Sequence, residues 1–216
     1  MNKGKTEVMV ATREQEVPQL QIVVDGQQLK QIQAFKYLGS WIQESGDLER
    51  EVQARLQGMG NAFRNVSGVI YDRRMPLRLK AQVYRTMVRP AALYGAETWS
   101  VKEEHIKKLE VAEIRCLRAI RGVTRRDRMR NENIRQEVKV VEMREKIRES
   151  RLRWYGHVKR KTEDDLVRWA AECTRRRGRP RKRWMDCVRD DGRQVDLSKV
   201  GDRVMWRAVS RRPDPP

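Results

Sequence analysis

The chain has 216 residues, with 49 Lys or Arg against 30 Asp or Glu, a net charge of +19. At ~150 residues per domain this is one to two domains, and Leu, Ile, Val and Phe make up about a fifth of the chain, so the core is small. The longest uncharged run, Val17–Val24, is far short of the ~20 apolar residues that cross a bilayer, Met1–Val10 lacks the apolar segment of a signal peptide, and three scattered cysteines, Cys116, Cys173 and Cys187, make no disulfide scaffold and suit a reducing compartment.

Charge is unevenly spread. Residues 1–70 are neutral overall, 71–159 carry a net +12 and 160–216 a net +7. A neutral apolar start is followed by a basic middle and a thinly apolar basic end. Such an excess leaves nucleic acid or an anionic membrane surface as the natural partner.

In chain order, Lys5–Ala11 reads as a short strand with Val8 and Val10. Leu20–Val24 ends at Asp25-Gly26, a hairpin signal. The return strand is Gln27–Ile32, and Phe35–Ile42 is a third extended piece. Asp47 is placed to cap a helix whose apolar face is Leu48, Val52, Leu56, Met59, Phe63 and Val66. Gly58 and Gly60 weaken that helix by roughly 1 kcal/mol each. Pro76 opens a second helix and Pro90 is expected to stop it. Ser100 and Glu103 have the spacing of a capping box before a helix through Ile106, Leu109, Leu117 and Ile120, ended by Gly122. Thr124–Arg130 is a basic linker. Ile134–Val158 is helical in two pieces. Leu166, Trp169, Ala170 and Cys173 mark a short helix, and Trp184–Arg189 and Arg203–Val209 are short helices on a weakly supported tail.

Two features carry chemistry. In Arg175–Arg183, RRRGRPRKR, seven of nine residues are basic and none is acidic. Gly178 and Pro180 keep this segment extended, so it resembles an AT-hook, narrow enough for a minor groove with Arg and Lys against phosphate. It would also serve as a nuclear import signal. The contact set is Arg175, Arg176, Arg177, Arg179, Arg181, Lys182 and Arg183. The second feature is aromatic rings among cations: Arg153-Trp154-Tyr155-Gly156-His157, Arg183-Trp184 and Trp206-Arg207. These can stack bases while cations hold the backbone. Trp154, Trp169 and Trp206, at helical spacing with other apolar residues, read as core.

Metal and nucleophile signals are poor. There is no C-x-x-C, and His105 and His157 are far apart, whereas zinc needs about four placed ligands. Glu163–Asp165 and Asp190–Asp191 could bind Mg²⁺, but they sit at helix ends and read as dipole and surface residues. No metal or cofactor is expected on this chain.

The order of motifs is more specific than any one of them. N-K-G-K-T-E-V-M at Asn2–Met9 precedes the hairpin. F-K-Y-L-G-S at Phe35–Ser40, the helix of Leu48–Val66 and A-L-Y-G-A-E-T-W at Ala92–Trp99 follow. R-L-R-W-Y-G-H-V-K-R at Arg151–Arg160 and G-R-P-R-K-R-W at Gly178–Trp184 complete the series. This series resembles the C-terminal part of the endonuclease–reverse transcriptase polyproteins of non-LTR retrotransposons, over nearly the whole chain. The resemblance implies a palm-end remnant over 1–45, a thumb-like helical region over 46–125, a basic helical region over 126–160, and a basic, partly disordered helical tail over 161–216. It also implies that Lys5 lies near the incoming nucleotide and that Phe35, Tyr37, Leu38 and Gly39 form a primer-grip-like element. The family's Y-x-D-D turn, which holds the Mg²⁺ of polymerisation, does not occur here. Two-metal phosphoryl transfer needs such paired carboxylates, so no catalysis is expected of this chain alone.

The sequence therefore predicts a mainly α protein with a small N-terminal β-meander. Its expected function is that of a nucleic-acid-binding part of a retroelement reverse transcriptase, nuclear or cytoplasmic. RNA and/or DNA are its expected partners, together with the missing palm and fingers of the polymerase, and a membrane is not. Arg151, Arg153, Lys159 and Arg160 join the Arg175–Arg183 set as contact residues. The alternative is a stand-alone nuclear DNA-binding or architectural protein acting through the AT-hook-like segment.

Overall fold

The structure is a computed structural model that describes residues 6–11, 18–173 and 182–215. The chain is mainly helical, with a few short strands at its N-terminal end. It divides into two compact units, 1–54 and 55–216.

In the first unit, Asp25-Gly26 turns the chain between β2 (Val23–Val24) and β3 (Gln27–Gln28). Both turn residues have positive φ, 48° and 76°, the geometry whose twist matches paired strands. β1 (Glu7–Val8) pairs in parallel with β4 (Lys30–Gln31). The segment expected as one extended piece, Phe35–Ile42, is instead a hairpin of β5 (Ala34–Tyr37) and β6 (Ser40–Gln43). Its two-residue turn is Leu38-Gly39, at φ 47° and 87°. Leucine is an unusual occupant of that turn, so the sequence carries no ordinary turn signal there. Among the described residues the strands pair two by two.

β6 is tied to the helix that follows. The Trp41 N–H donates to Glu51 Oε2 at 2.7 Å, the Arg50 N–H to Gln43 Oε1 at 3.0 Å, and the Arg50 guanidinium lies 3.8 Å over the Trp41 ring. The opposite face of the hairpin is bare: Phe35, Tyr37, Leu38 and Ile42 are exposed. Among the described residues before Glu49, Leu29 alone is a buried apolar side chain. Two-stranded pairs with so little burial are marginal by themselves. Amides of residues 18–45 are therefore expected to exchange with solvent far faster than those of the long helices, by native-state hydrogen exchange. Equal protection would overturn this.

α1 (Glu49–Asn65) begins under the Asp47 carboxylate, which accepts the Glu49 N–H at 2.8 Å. After α2 (Ser67–Tyr71), α3 (Leu77–Val83) starts behind Pro76. Pro90 does not stop this helix. A π-helical turn, Tyr84–Val88, carries it into α4 (Arg89–Leu93). Arg89 N–H bonds to the Tyr84 carbonyl five residues back, and this wider spacing accommodates the donor that Pro90 lacks. The helix ends at Leu93, where Tyr94 is extended, and Gly95 at φ 77° leads into a short turn over Ala96–Thr98.

α5 (Glu103–Arg121) is central, packing against α2, α3, α6 and α7, of which α6 is Asn131–Val138 and α7 Met143–Lys159. The expected capping box does not form: α5 starts at Lys102 with no side-chain cap bond. Gly122 ends it as expected, at φ 77°. The Thr124–Arg130 linker is held by Arg118, which donates to the carbonyls of Thr124 and Met129 at 3.0 and 2.9 Å. Lys139, at φ 56°, breaks the two expected pieces into α6 and α7.

α8 (Leu166–Glu172) is capped by Asp165, whose carboxylate accepts from the Val167 and Arg168 N–H groups. Trp169 is 65% exposed, contrary to its core assignment, because this short helix buries none of its residues. α9 (Trp184–Gly192) and α10 (Arg203–Ser210) form as the sequence predicts, but they are not a loose tail. Leu152 and Tyr155 of α7, Val188 of α9 and Trp206 of α10 make one apolar cluster. The last residues return to the core. Asp214 accepts two bonds from Arg89 Nη1 at 3.0 and 2.9 Å, one from Nη2 at 3.0 Å and the Val141 N–H at 2.9 Å. Among the described residues no helix is long and apolar enough to cross a membrane.

Candidate nucleic-acid interface

α7 has 17 residues and buries three charged side chains, Arg148, Glu149 and Arg151. Apart from Arg144, which pairs with Glu103 and Glu110 of α5, and Lys159, two groups of its cations bear on the site. Arg148 and Arg151 turn toward α9. Arg151 is 3% exposed, with its Nε 3.0 Å from Asp191 Oδ2, and Arg148 donates to the Asp191 carbonyl at 2.6 Å. Burial holds the Asp191 carboxyl above its ordinary range, against the opposing pull of Arg151. Arg151 is thus an internal ion-pair residue and does not reach the surface expected of it. Asp190 pairs with Lys182 at 3.6 Å and Arg193 at 3.4 Å. Among the described residues no three His, Cys, Asp or Glu side chains are grouped to hold a metal ion.

The other group lines an open groove of about 1050 Å³ between α7, α10 and the chain end. From α7 come Arg153, Trp154, His157 and, just beyond it, Arg160; from α10 and its exit come Arg203, Arg207 and Arg211. The walls also carry Glu97, Glu149 and Asp214. Two of these carboxylates are already committed: Glu149 to Lys146 and Arg153 at 2.9 and 3.0 Å, and Asp214 to Arg89. Arg203, Arg207 and Arg211 are exposed, and among the described residues no carboxylate pairs with them. Arg203 and Arg207 are one turn apart, about 6 Å along the helix, and Arg211 follows at the same interval in sequence. The aromatic component is a stacked pair, Trp154 and His157, with ring centroids 5.1 Å apart at 29°.

The groove depends on a close approach of its two helices. The Trp206 indole Nε1 donates to the Leu152 carbonyl at 2.9 Å, and the ring lies on Gly156, where a Cβ would overlap Nε1 and Cδ1.

The structure thus places Arg153 and Arg160 in the groove. Lys159 is bonded to Glu172 at 2.6 Å. Arg183 donates to the Cys173 carbonyl at 2.9 Å and caps α9, and Lys182 is exposed beside Asp190. Arg175, Arg176, Arg177, Arg179 and Arg181 lie outside the described residues, as does Lys5. Phe35, Tyr37, Leu38 and Gly39 are on the β5–β6 hairpin, with the Phe35 and Tyr37 rings stacked at 6.3 Å. Of the arginines on α10 and its exit, the sequence points to Arg207 through its neighbour Trp206, but not to Arg203 or Arg211. Their four-residue spacing was the available signal, with Trp206 marking the buried side of the same helix.

No family model matches the chain, and no solved structure matches it. It is 25% identical over 209 residues to an uncharacterized transposon-derived protein of Caenorhabditis elegans, spanning 86% of this chain and 72% of that protein. The likeness supports a transposon-related origin.

Proposed function

We propose that this chain is a nucleic-acid-binding C-terminal part of a non-LTR retrotransposon reverse transcriptase. In this reading it grips template–primer or target nucleic acid through the α7–α10 groove. The observation that carries the reading is the set of three exposed arginines, Arg203, Arg207 and Arg211, in a groove whose Glu149 is already paired with Lys146 and Arg153 and whose Asp214 is paired with the buried Arg89. Such a groove presents uncompensated positive charge, and phosphate is the natural counter-charge. The ordered motif series and the transposon-derived relative support the retroelement context. No Y-x-D-D sequence occurs in the chain, so the reading assigns it grip and not polymerisation.

Fluorescence anisotropy of a labelled duplex across a salt series tests this. Each phosphate contact contributes about −0.9 to the slope of log K against log salt. Arg203→Ala/Arg207→Ala/Arg211→Ala is expected to flatten that slope by about 2.7. An unchanged slope would remove the groove from the binding surface. A slope lost instead on replacing Arg175–Arg183 with Ala would favour a DNA-binding protein acting through that segment.

A further inference from the structure

We infer that the groove takes single-stranded nucleic acid, with a base laid on the Trp154–His157 pair while Arg203, Arg207 and Arg211 hold the phosphates beside it. This rests on the reading of the groove as a nucleic-acid site and adds the class of strand it accepts.

Three observations point this way. First, Trp154 and His157 are three residues apart on α7, so both rings project from one helix face, and they form a π surface at 5.1 Å within the groove. Trp154 is half-buried and His157 exposed. The inner ring is thereby fixed and the pair stays accessible. A duplex hides its base faces in its own stack, so an aromatic platform adds nothing for a duplex and much for an unpaired base. Second, the groove is concave and of a size with pockets that enclose small ligands, ~300–1,000 Å³. A short run of separate nucleotides can enter it, whereas a duplex meets the exposed arginines only from the rim and does not reach the ring pair. Third, the cations are arranged along a line. Arg203 and Arg207 follow α10 at about 6 Å intervals, and Arg153 and Arg160 stand on the α7 side. A single strand running along α10 would meet guanidinium groups on its phosphate edge and the ring pair on its base edge.

Neither RNA nor DNA is favoured by a ring and a row of guanidiniums, so the shared chemistry is an unpaired, stackable base on a phosphodiester chain. The measurement uses the full chain and four labelled ten-residue probes: oligo-dT, oligo-rU, an abasic strand with the same phosphates, and a duplex. The expected result is that oligo-dT and oligo-rU bind about tenfold tighter than the abasic strand. Trp154→Ala should erase this preference while leaving abasic-strand affinity and salt slope unchanged. Trp154→Phe should retain most of it. Because Trp154 is only half-buried, the helical circular dichroism of both variants should match the parent chain. Equal binding of pyrimidine and abasic strands by the parent chain, or a preference that survives Trp154→Ala, would overturn the stacking role. That result would leave the groove reading standing, provided Arg203→Ala/Arg207→Ala/Arg211→Ala still flattens the slope. If that triple variant changes nothing on any probe, both fall. A preference for oligo-rU over oligo-dT, lost with Trp154→Ala, would assign the site to RNA, and the reverse to DNA.

Discussion

Gly156→Ala is expected to destabilise the protein even though it replaces a helix-interior glycine with the best helix former. By propensity alone the change should stabilise the chain by about 1 kcal/mol. The new methyl, however, must occupy space held by the Trp206 indole. That ring is 2% exposed and bonded to the Leu152 carbonyl. It is also flanked edge-on by Tyr155 at 6.1 Å, so it has nowhere to swing. Overpacking of this kind costs roughly 1–3 kcal/mol, enough to reverse the sign. Trp206→Ala, which empties the site, should cost about 3–5 kcal/mol. The two changes share one contact and should not add: in a Trp206→Ala background, Gly156→Ala should become neutral or stabilising. Urea denaturation of the two single variants and the double variant closes this cycle. A stabilised single Gly156→Ala variant would mean that α10 does not rest on α7 as described. Because the same contact sets the width of the groove, Gly156→Ala should also weaken oligonucleotide binding.

Glu113→Ala is expected to cost about 3–5 kcal/mol, the range for removing one member of a buried charged network. The Glu113 side chain is fully buried. It accepts the Tyr84 hydroxyl at 3.0 Å, the Met143 N–H at 3.1 Å and an Arg135 Nη2 proton at 3.4 Å. One carboxylate thereby joins the π-helical turn, α5, α6 and the start of α7, and truncation leaves all three donors without it. Burial lifts the Glu113 carboxyl above the ordinary glutamate range, against the pull of Arg89 and Arg135. The sign of the pH dependence follows. The unfolded chain releases the Glu113 proton first, so this residue's contribution falls as pH rises from the ordinary glutamate value through the raised folded one. Glu113→Gln, which keeps the shape and one carbonyl acceptor, should lose less stability than Glu113→Ala and should remove that part of the pH dependence. Thermal unfolding from pH 4 to 8 would show both. A Glu113→Ala variant as stable as the parent chain would refute the network.

Much of the helical framework was legible in the sequence because it depends on local periodicity. The 3–4 spacing of Val52, Leu56, Met59 and Phe63 marks α1, and Gly122 ends α5 because a left-handed residue is needed there. Asp25-Gly26 marks its hairpin for the same backbone reason. Where local signals failed, a neighbour distant in sequence or an unusual backbone had outweighed them. Leu38-Gly39 turns without a customary turn pair. Pro90 is absorbed by a π turn. Ser100 caps nothing. Trp169 has the spacing of a core residue, but the contacts of α8 with α7 and α9 leave it 65% exposed, whereas Trp206, on a similarly short helix, rests on Gly156.

The candidate site divides the same way. Charge alone located the basic half of the chain, and the residues around Trp154 drew notice for their rings and cations. Composition could not say that Arg151 turns inward to Asp191 while Arg153, two residues on, faces the groove, since two residues on a helix are about 200° apart and which side is buried depends on what packs there. Nor could it say that Glu149 and Asp214 are spent on Lys146, Arg153 and Arg89, leaving Arg203, Arg207 and Arg211 uncompensated. The sequence by itself determined the helical class, most helix positions and the sign of the surface charge, because these follow from local periodicity and summed charge. Only the tertiary structure decided which cations remain available, because ion pairing depends on contacts between residues as far apart in the chain as Arg89 and Asp214.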